Sequence, residues 1–141
     1  MIRVRIARAS RDLAAAEKFY RHGLQLALVD RFVDHAGYDG VILALPGDAQ
    51  LEITGHARGR IAAPDPDDLL VIYLPSAERF TWLRARLESM GHAGVPALNP
   101  YWRGRSVTIE DPDGWRVVLC RPEAAGITTS ATSARPAHTS R

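Results

Sequence analysis

Apolar and polar positions follow two successive series along this chain, and each series predicts a strand, a helix and three further strands. In the first, a strand over Ile2–Ala7 precedes a helix from about Asp12 to His22, with apolar residues recurring on one face. Ser10 is the expected N-cap of this helix, and Gly23 stands where it should stop. Three strand-like segments follow, at Leu26–Val33, Gly40–Leu45 and Gln50–Thr54.

The second series repeats this order. An apolar strand over Leu69–Leu74 leads to Ser76, the expected N-cap of a helix that runs to about Met90. The turn residues Asp111–Gly114 join the last two strands. The three strand-like segments are Gly94–Leu98, Ser106–Glu110 and Trp115–Arg121.

Two tandem βαβββ modules predict an α+β fold with curved sheets and helices on their outer faces. Residues 1–122 are expected to form the folded domain. Residues 123–141 are rich in Thr, Ser and Ala and lack periodic apolar positions, so they are predicted to be a disordered tail.

Composition and charge exclude several classes of protein. Lys and Arg number 18 against 16 Asp and Glu, so the net charge of +2 does not indicate a nucleic-acid partner. The longest apolar run, Leu69–Leu74, is too short to cross a bilayer, and the first residues show no secretory signal. A single cysteine, Cys120, excludes an internal disulfide and a multi-cysteine metal site. We therefore expect a soluble, cytoplasmic protein.

Two stretches resemble a known group of proteins. The segment Ile6–Leu24 contains the pattern Asp-Leu, five residues, Phe-Tyr, and Glu110–Leu119 contains Asp-Pro-Asp-Gly-Trp before an apolar strand. With Leu51–Thr54, they resemble the glyoxalase/bleomycin resistance/dioxygenase proteins, the vicinal oxygen chelate superfamily. The resemblance implies a half-open curved sheet around a cavity, and modules that often pair across a homodimer.

The resemblance also implies a divalent metal with four ligands, but the matching positions do not provide them. They fall on Arg5, Glu52, Val118 and near Leu70, of which only Glu52 is a metal ligand. We therefore predict no metal and no cofactor. Arg5 is expected to replace the metal and to neutralise Glu52 through a two-pronged hydrogen bond; alternatively, the two form a purely structural pair.

Several other residues are candidates for chemistry. His35, Tyr38 and Asp39 lie in one predicted loop, where His35 is either a general base or an ordinary surface residue. Tyr101 and Trp102 either bind a flat or apolar small ligand, or they cover the open edge or form a dimer contact. Three further possibilities are an inward-pointing Arg116, a nonstandard metal site of His56 and His92 with Glu52, and Cys120 as a core residue.

These observations predict a protein that binds a small organic ligand in a metal-free sheet cavity. Arg5, Tyr38, Asp39, Tyr101, Trp102 and Arg116 are the expected ligand-binding residues. Because Arg5 and Arg116 point inward, the expected ligand is anionic or oxygen-rich. The alternative is a glyoxalase-like lyase or isomerase, metal-dependent or using Glu52 or His35 as an acid/base group on a small carbonyl compound.

Overall fold

The computed structural model of the protein describes residues 1–56 and 61–122. It contains two four-stranded sheets with few helices, which confirms the predicted α+β fold. The chain divides into two compact units. Unit 1 comprises Met1–Asp65 together with the turn Asp111–Trp115, and unit 2 comprises Pro66–Glu110 and the residues from Arg116 onward.

Unit 1 holds the first sheet and the first helix. The helix α1 (Leu13–Glu17) continues into a π-helical segment at Lys18–Gly23. The sheet order is β1-β4-β3-β2, with β1 parallel to β4 and the other pairs antiparallel. The strands are β1 (Arg5–Ala9), β2 (Leu28–His35), β3 (Tyr38–Ala44) and β4 (Gln50–His56).

Unit 2 repeats this topology. Its helix α2 covers Ala77–Ser89, and a single 3-10 turn covers Pro100–Trp102. The sheet order is β5-β8-β7-β6, again with the first pair parallel. The strands are β5 (Leu69–Tyr73), β6 (Gly94–Val95), β7 (Ser106–Glu110) and β8 (Arg116–Cys120).

The helix starts confirm one predicted cap and correct the other. Ser76 caps α2 by accepting a hydrogen bond from the backbone N–H of Arg79 at 3.0 Å. The prediction of Ser10 as the cap of α1 is wrong, because Asp12 accepts the capping bond from the N–H of Ala15 at 3.1 Å. The Ser10 hydroxyl instead accepts from the N–H of Asp12 and donates to Asp113.

Strand boundaries differ from the prediction at several places. The first strand was predicted over Ile2–Ala7 but lies at Arg5–Ala9, and β2 lies two residues later than predicted, at Leu28–His35. The segment predicted as a loop around His35 is a tight hairpin, in which Ala36 and Gly37 both adopt positive φ, as a type I′ turn requires. The strand predicted over Gly94–Leu98 ends at Val95, because Pro96 supplies no N–H for the ladder.

The core of unit 1 lies on the face of the sheet that α1 covers. Fully buried apolar side chains from α1 and its π-helical continuation meet alternate residues of β3 and β4. The largest of these side chains are Phe19, Tyr20, Val41, Leu43, Leu51 and Ile53. The opposite face of the same sheet carries mainly polar and aromatic side chains, together with the buried Ile42.

The turn Asp111–Trp115 is tied into unit 1 by buried polar side chains. The Tyr20 hydroxyl donates to Asp111 at 2.7 Å, and burial raises the pKa of both groups. Asp113 accepts from the Ser10 hydroxyl at 2.6 Å and from the Arg11 N–H at 2.9 Å. The Asp-Pro-Asp-Gly motif thus serves as an acceptor of long-range hydrogen bonds as well as a turn.

Two further expectations concern the C-terminal tail and membrane-spanning segments. The predicted tail, residues 123–141, lies outside the described residues. Within the described part of the chain, no helix is both long and apolar enough to cross a membrane.

Candidate functional site

The open face of the first sheet carries one line of side chains from each of its two central strands. On β4 these are Gln50, Glu52, Thr54 and His56, which alternate with the buried residues. Their partners on β3 include Ile42 opposite Glu52 and Tyr38 opposite His56. This face therefore has a charged end near Glu52 and an aromatic end near His56.

Arg5 and two β4 residues form a compact polar cluster at the charged end. The guanidinium of Arg5 donates from one Nη to Glu52 Oε1 at 3.0 Å. Its Nε and other Nη both donate to Gln50 Oε1, at 3.0 and 2.8 Å. The expected two-pronged bond is therefore made to Gln50 rather than to Glu52.

Exposure differs among the members of this Arg5 cluster. The Arg5 side chain is 48% exposed, whereas that of Glu52 is 18% exposed. A guanidinium has five N–H groups, and Gln50 and Glu52 take three of them. Within the described residues, the other two N–H groups have no acceptor, so they can donate to an oxygen atom of a ligand.

His35 and Tyr38 close the β2–β3 hairpin and lie opposite each other. The Tyr38 ring stacks on His56, with ring centroids 4.3 Å apart and planes inclined by 33°. Phe32 lies edge-to-face with His35, at a centroid distance of 6.3 Å. Four rings thus occupy the aromatic end of the open face.

Asp39 is not brought to the same face as Tyr38. It lies opposite Gly55, on the other side of the sheet, and its carboxylate accepts from the Asp34 N–H at 2.7 Å. The structure gives no geometric support for a site shared by the two neighbours.

Glu52 and His35 are also kept apart. His35 pairs with Tyr38, which pairs with His56, four residues beyond Glu52 on β4. At about 3.3 Å per residue, this offset along the strand is about 13 Å. A small substrate therefore does not reach both groups at once.

In unit 2, the predicted ligand-binding residues Arg116 and Trp102 are both engaged in contacts within the unit. Arg116 donates to Glu110 at 3.1 Å and to the carbonyl of Pro96 at 3.2 Å. Trp102 is half-buried and packs against Val118 and Cys120. Burial raises the pKa of the Cys120 thiol to about 11, so this group stays protonated at neutral pH, as expected of a core residue.

The two aromatic residues of unit 2 differ in exposure, since Tyr101 is exposed and Trp102 is half-buried. Tyr101 is exposed, contacts Trp102 edge-to-face at 4.8 Å and lies under the guanidinium of Arg105 at 4.5 Å. Trp102 also lines a groove of about 480 Å³, together with Arg84 of α2 and Arg103. Trp102 therefore both packs against the core of unit 2 and forms part of the wall of this groove.

The residues at the implied metal positions do not fit a metal ion. Arg5 is a hydrogen-bond donor, Leu70 and Val118 have hydrocarbon side chains, and the carboxylate of Glu52 is bound by Arg5. The β5–β8 register places Leu70 opposite Val117, so Leu69 and Val71 share the face of Val118; neither has a lone pair. Among the described residues, no three His, Cys, Asp or Glu side chains cluster closely enough to hold a metal.

Two features of the open face were not predicted as parts of a site. Gln50 accepts two of the three Arg5 hydrogen bonds, although only its alternation with Glu52 pointed to it. Phe32 lies across Gly40, where an added Cβ would stand 2.2 Å from the ring. A glycine within an apolar strand was the available signal for such a close approach.

Comparison with family models and known proteins covers most of both units. The YycE-like N-terminal domain model matches residues 4–54, and the YycE-like C-terminal domain model matches residues 67–121. The uncharacterized protein YycE of Bacillus subtilis (strain 168) is 45% identical over 118 residues, which are 82% of this chain and 85% of that protein.

Solved structures show the same relationship. A crystal structure of a YycE protein of unknown function from Bacillus subtilis has a TM-score of 0.79 and 43% identity, covering 84% of this chain and 88% of that one. The trypanothione-dependent glyoxalase I of Leishmania major has a TM-score of 0.73 at 16% identity, with 96% of each chain covered. The fosfomycin resistance protein FosX of Mesorhizobium loti has a TM-score of 0.64 at 17% identity, covering 82% and 87%.

The two more distant structures support the fold alone, whereas the family models and the 45% identical relative support membership of a family. The chain belongs to the YycE-like family, and its fold is the one found in the glyoxalase and fosfomycin resistance proteins.

Proposed function

We propose that this protein binds a small organic ligand on the open face of its first sheet, without a metal ion. Arg5 recognises an anionic or oxygen-rich group of the ligand. The main support is the half-exposed guanidinium, which Gln50 and Glu52 hold in place while two of its N–H groups remain for a ligand.

The polarity of the Arg5 cluster indicates the kind of ligand group that it takes. Glu52 balances the charge of Arg5, and Gln50 is neutral, so the three side chains together have no net charge. A planar fork of N–H groups matches the two oxygens of a carboxylate, phosphate or phosphonate. We therefore expect the cluster to select by hydrogen-bond geometry more than by long-range attraction.

Catalysis by Glu52 and His35 acting together has less support. The offset of about 13 Å along the strand separates them, and the hydrogen bond from Arg5 engages the carboxylate that would have to accept a proton. Binding without turnover requires neither group to move a proton.

Isothermal titration with phosphate, methylphosphonate and oxalate tests the role of Arg5. We expect Arg5→Ala to weaken binding about tenfold or more, the usual effect of losing charged hydrogen bonds. The matched control is Arg3→Ala, which removes an equal charge from the same segment and should leave binding unchanged. Equal affinity of Arg5→Ala and the unmutated protein, tighter binding of the cation spermidine, or no binding of any anion would contradict the proposal.

Metal independence is tested on the purified protein. We expect no stoichiometric metal by mass spectrometry and no change of melting temperature with EDTA or with added Ni, Zn, Mn or Fe. A metal bound at about one per chain, with a melting temperature that EDTA lowers, would overturn this part of the proposal.

A further inference from the structure

We infer that the ligand of this face carries a flat aromatic ring in addition to its anionic group. The inference rests on the proposed function and adds the chemical class: an aryl carboxylate or aryl phosphonate with a flexible spacer. It is carried by the four-ring cluster of Phe32, His35, Tyr38 and His56 and by its position relative to Arg5.

The four-ring cluster offers an accessible aromatic surface. The Tyr38 side chain is 40% exposed although it stacks on His56, and both histidines are exposed. Ring pairs prefer offset or edge-to-face contacts, and such contacts contribute beyond the apolar area that they bury. A third ring can therefore add to the Tyr38–His56 stack without breaking it.

Gly40 makes room for this surface. Because Gly40 has no side chain, the tip of the Phe32 ring occupies the space over Gly40, at a strand position between those of Glu52 and Tyr38. Gly37, at the hairpin turn, is favoured by its φ of 85° rather than by the space that a side chain would need. The Phe32–His35 and Tyr38–His56 ring pairs therefore lie next to each other on one face, where His35 is the cross-strand neighbour of Tyr38.

The strand register places the cation and the rings on one face and sets their separation. Glu52, Thr54 and His56 alternate on β4, opposite Ile42, Gly40 and Tyr38. Two residues of strand span about 6.6 Å, so Phe32 and the Tyr38–His56 stack lie about 7 to 13 Å along the strand from Glu52. A ligand that uses both ends needs a spacer of several methylene groups.

Titration of the unmutated protein with matched ligands tests the two-ended site. Phenylhexanoate has both groups, hexanoate and decanoate lack the ring, phenylhexanol lacks the charge, and phenylacetate has too short a spacer. We expect phenylhexanoate to bind about tenfold more tightly than any of the others, which corresponds to one good aromatic contact.

Single substitutions test which residue binds the ring of the ligand and which binds its carboxylate. Tyr38→Ala should remove the tenfold gain and leave hexanoate binding unchanged, whereas Arg5→Ala should weaken both carboxylates equally. Tyr73→Ala, which removes an exposed tyrosine of unit 2, is the matched control. His56→Ala provides a second test at the ring end if Tyr38→Ala does not fold.

The possible failures are distinct. Arg5-dependent binding of hexanoate with no gain from the phenyl group, or an equal gain from decanoate, would overturn this inference and leave the proposed function standing. No carboxylate binding, while phosphate or methylphosphonate still binds through Arg5, would overturn this inference alone. Binding of phenylhexanoate that is insensitive to Arg5→Ala, or no binding of any of these anions, would overturn both.

Discussion

At the residue scale, the strongest constraints come from polar side chains that are buried with their partners. Asp113 is 8% exposed and accepts hydrogen bonds from Ser10 and Arg11, which are more than a hundred residues away in sequence. A buried donor that loses its acceptor keeps the full cost of its lost hydration. These contacts therefore matter more to stability than the exposed ion pairs of the same chain.

Asp113→Ala tests this difference. We expect the free energy of unfolding to fall by about 2–3 kcal/mol, because the Ser10 hydroxyl and the Arg11 N–H lose their acceptor. Urea denaturation followed by circular dichroism measures the change. Asp68→Ala, at an exposed aspartate, should change stability by less than about 0.5 kcal/mol. Equal losses in the two variants would show that burial does not distinguish these carboxylates.

The lowered pKa of Glu17 predicts how the stability of the protein depends on pH. Hydrogen bonds from Arg31 and Arg21, both at 2.8 Å, lower the pKa of Glu17 from 4.5 to about 2. A lowered pKa means that the carboxylate stabilises the fold above pH 4.5 and that this contribution disappears as the pH falls toward 2. Glu17→Gln should therefore be less stable than the unmutated protein at pH 7.

Denaturation at a series of pH values checks the sign. The difference in unfolding free energy between the unmutated protein and Glu17→Gln should shrink steadily between pH 5 and pH 2. A difference that stays constant or grows over this range would contradict the assignment of the low pKa to Glu17.

At the scale of elements, local sequence set the type of each segment, while caps and contacts set its limits. Both helices begin after a side-chain acceptor, and α2 ends at Ser89, with Met90 as its C-cap before Gly91, whose φ is 92°. The bounds of β7 coincide with the prediction, and β8 is one residue shorter at each end. The N-cap of α1 was misplaced because Ser10 satisfies the sequence rule equally well but is bonded to Asp113.

Replacement of the cap of α2 has a defined cost. Ser76→Ala should lower the free energy of unfolding by about 1 kcal/mol, since the N–H of Arg79 loses its acceptor. Ser76→Asp restores an acceptor beside a helix N-terminus and should recover this loss, as thermal denaturation would show. A loss that Asp does not recover would argue against capping as the cause.

Gly40→Ala tests the contact between β2 and β3. The added Cβ would displace the Phe32 ring from its place over β3, at an expected cost of about 1 kcal/mol. Gly40→Ala combined with Phe32→Leu should lose less than the sum of the two single changes, because a shorter side chain leaves room for the methyl group. Additive losses in a double-mutant cycle would indicate that the two positions do not interact.

At the scale of the whole molecule, the two units share one strand order but differ in the chemistry of their open faces. Counted back seven residues from each helix cap, Arg5 corresponds to Leu69. The strand registers then equate Glu52 with Val118 and Gln50 with Arg116. The charged cluster of the proposed binding site is therefore specific to unit 1, whereas the matching face of unit 2 packs against Trp102.

The resemblance to glyoxalase-type proteins also leads us to predict a homodimer. Light scattering coupled to gel filtration should give a mass twice that of the 15.5 kDa chain. A mass near 15.5 kDa across a range of concentrations would remove the prediction, and it would leave the Arg5 cluster unaffected because all of its residues belong to unit 1.

The sequence by itself determined which segments are strands and helices, because that conclusion rests on local periodicity. It brought Arg5 and Glu52 together only through the resemblance to the vicinal oxygen chelate superfamily, in which the matching positions are ligands of one metal ion. Only the tertiary structure decided which remote side chains meet. The pairing of Arg5 with Gln50 across 45 residues, and of Ser10 with Asp113 across 103, depends on strand register and on the docking of a turn. Spacing along the chain carries no information about such contacts, since a shift of one residue in register turns every side chain to the other face.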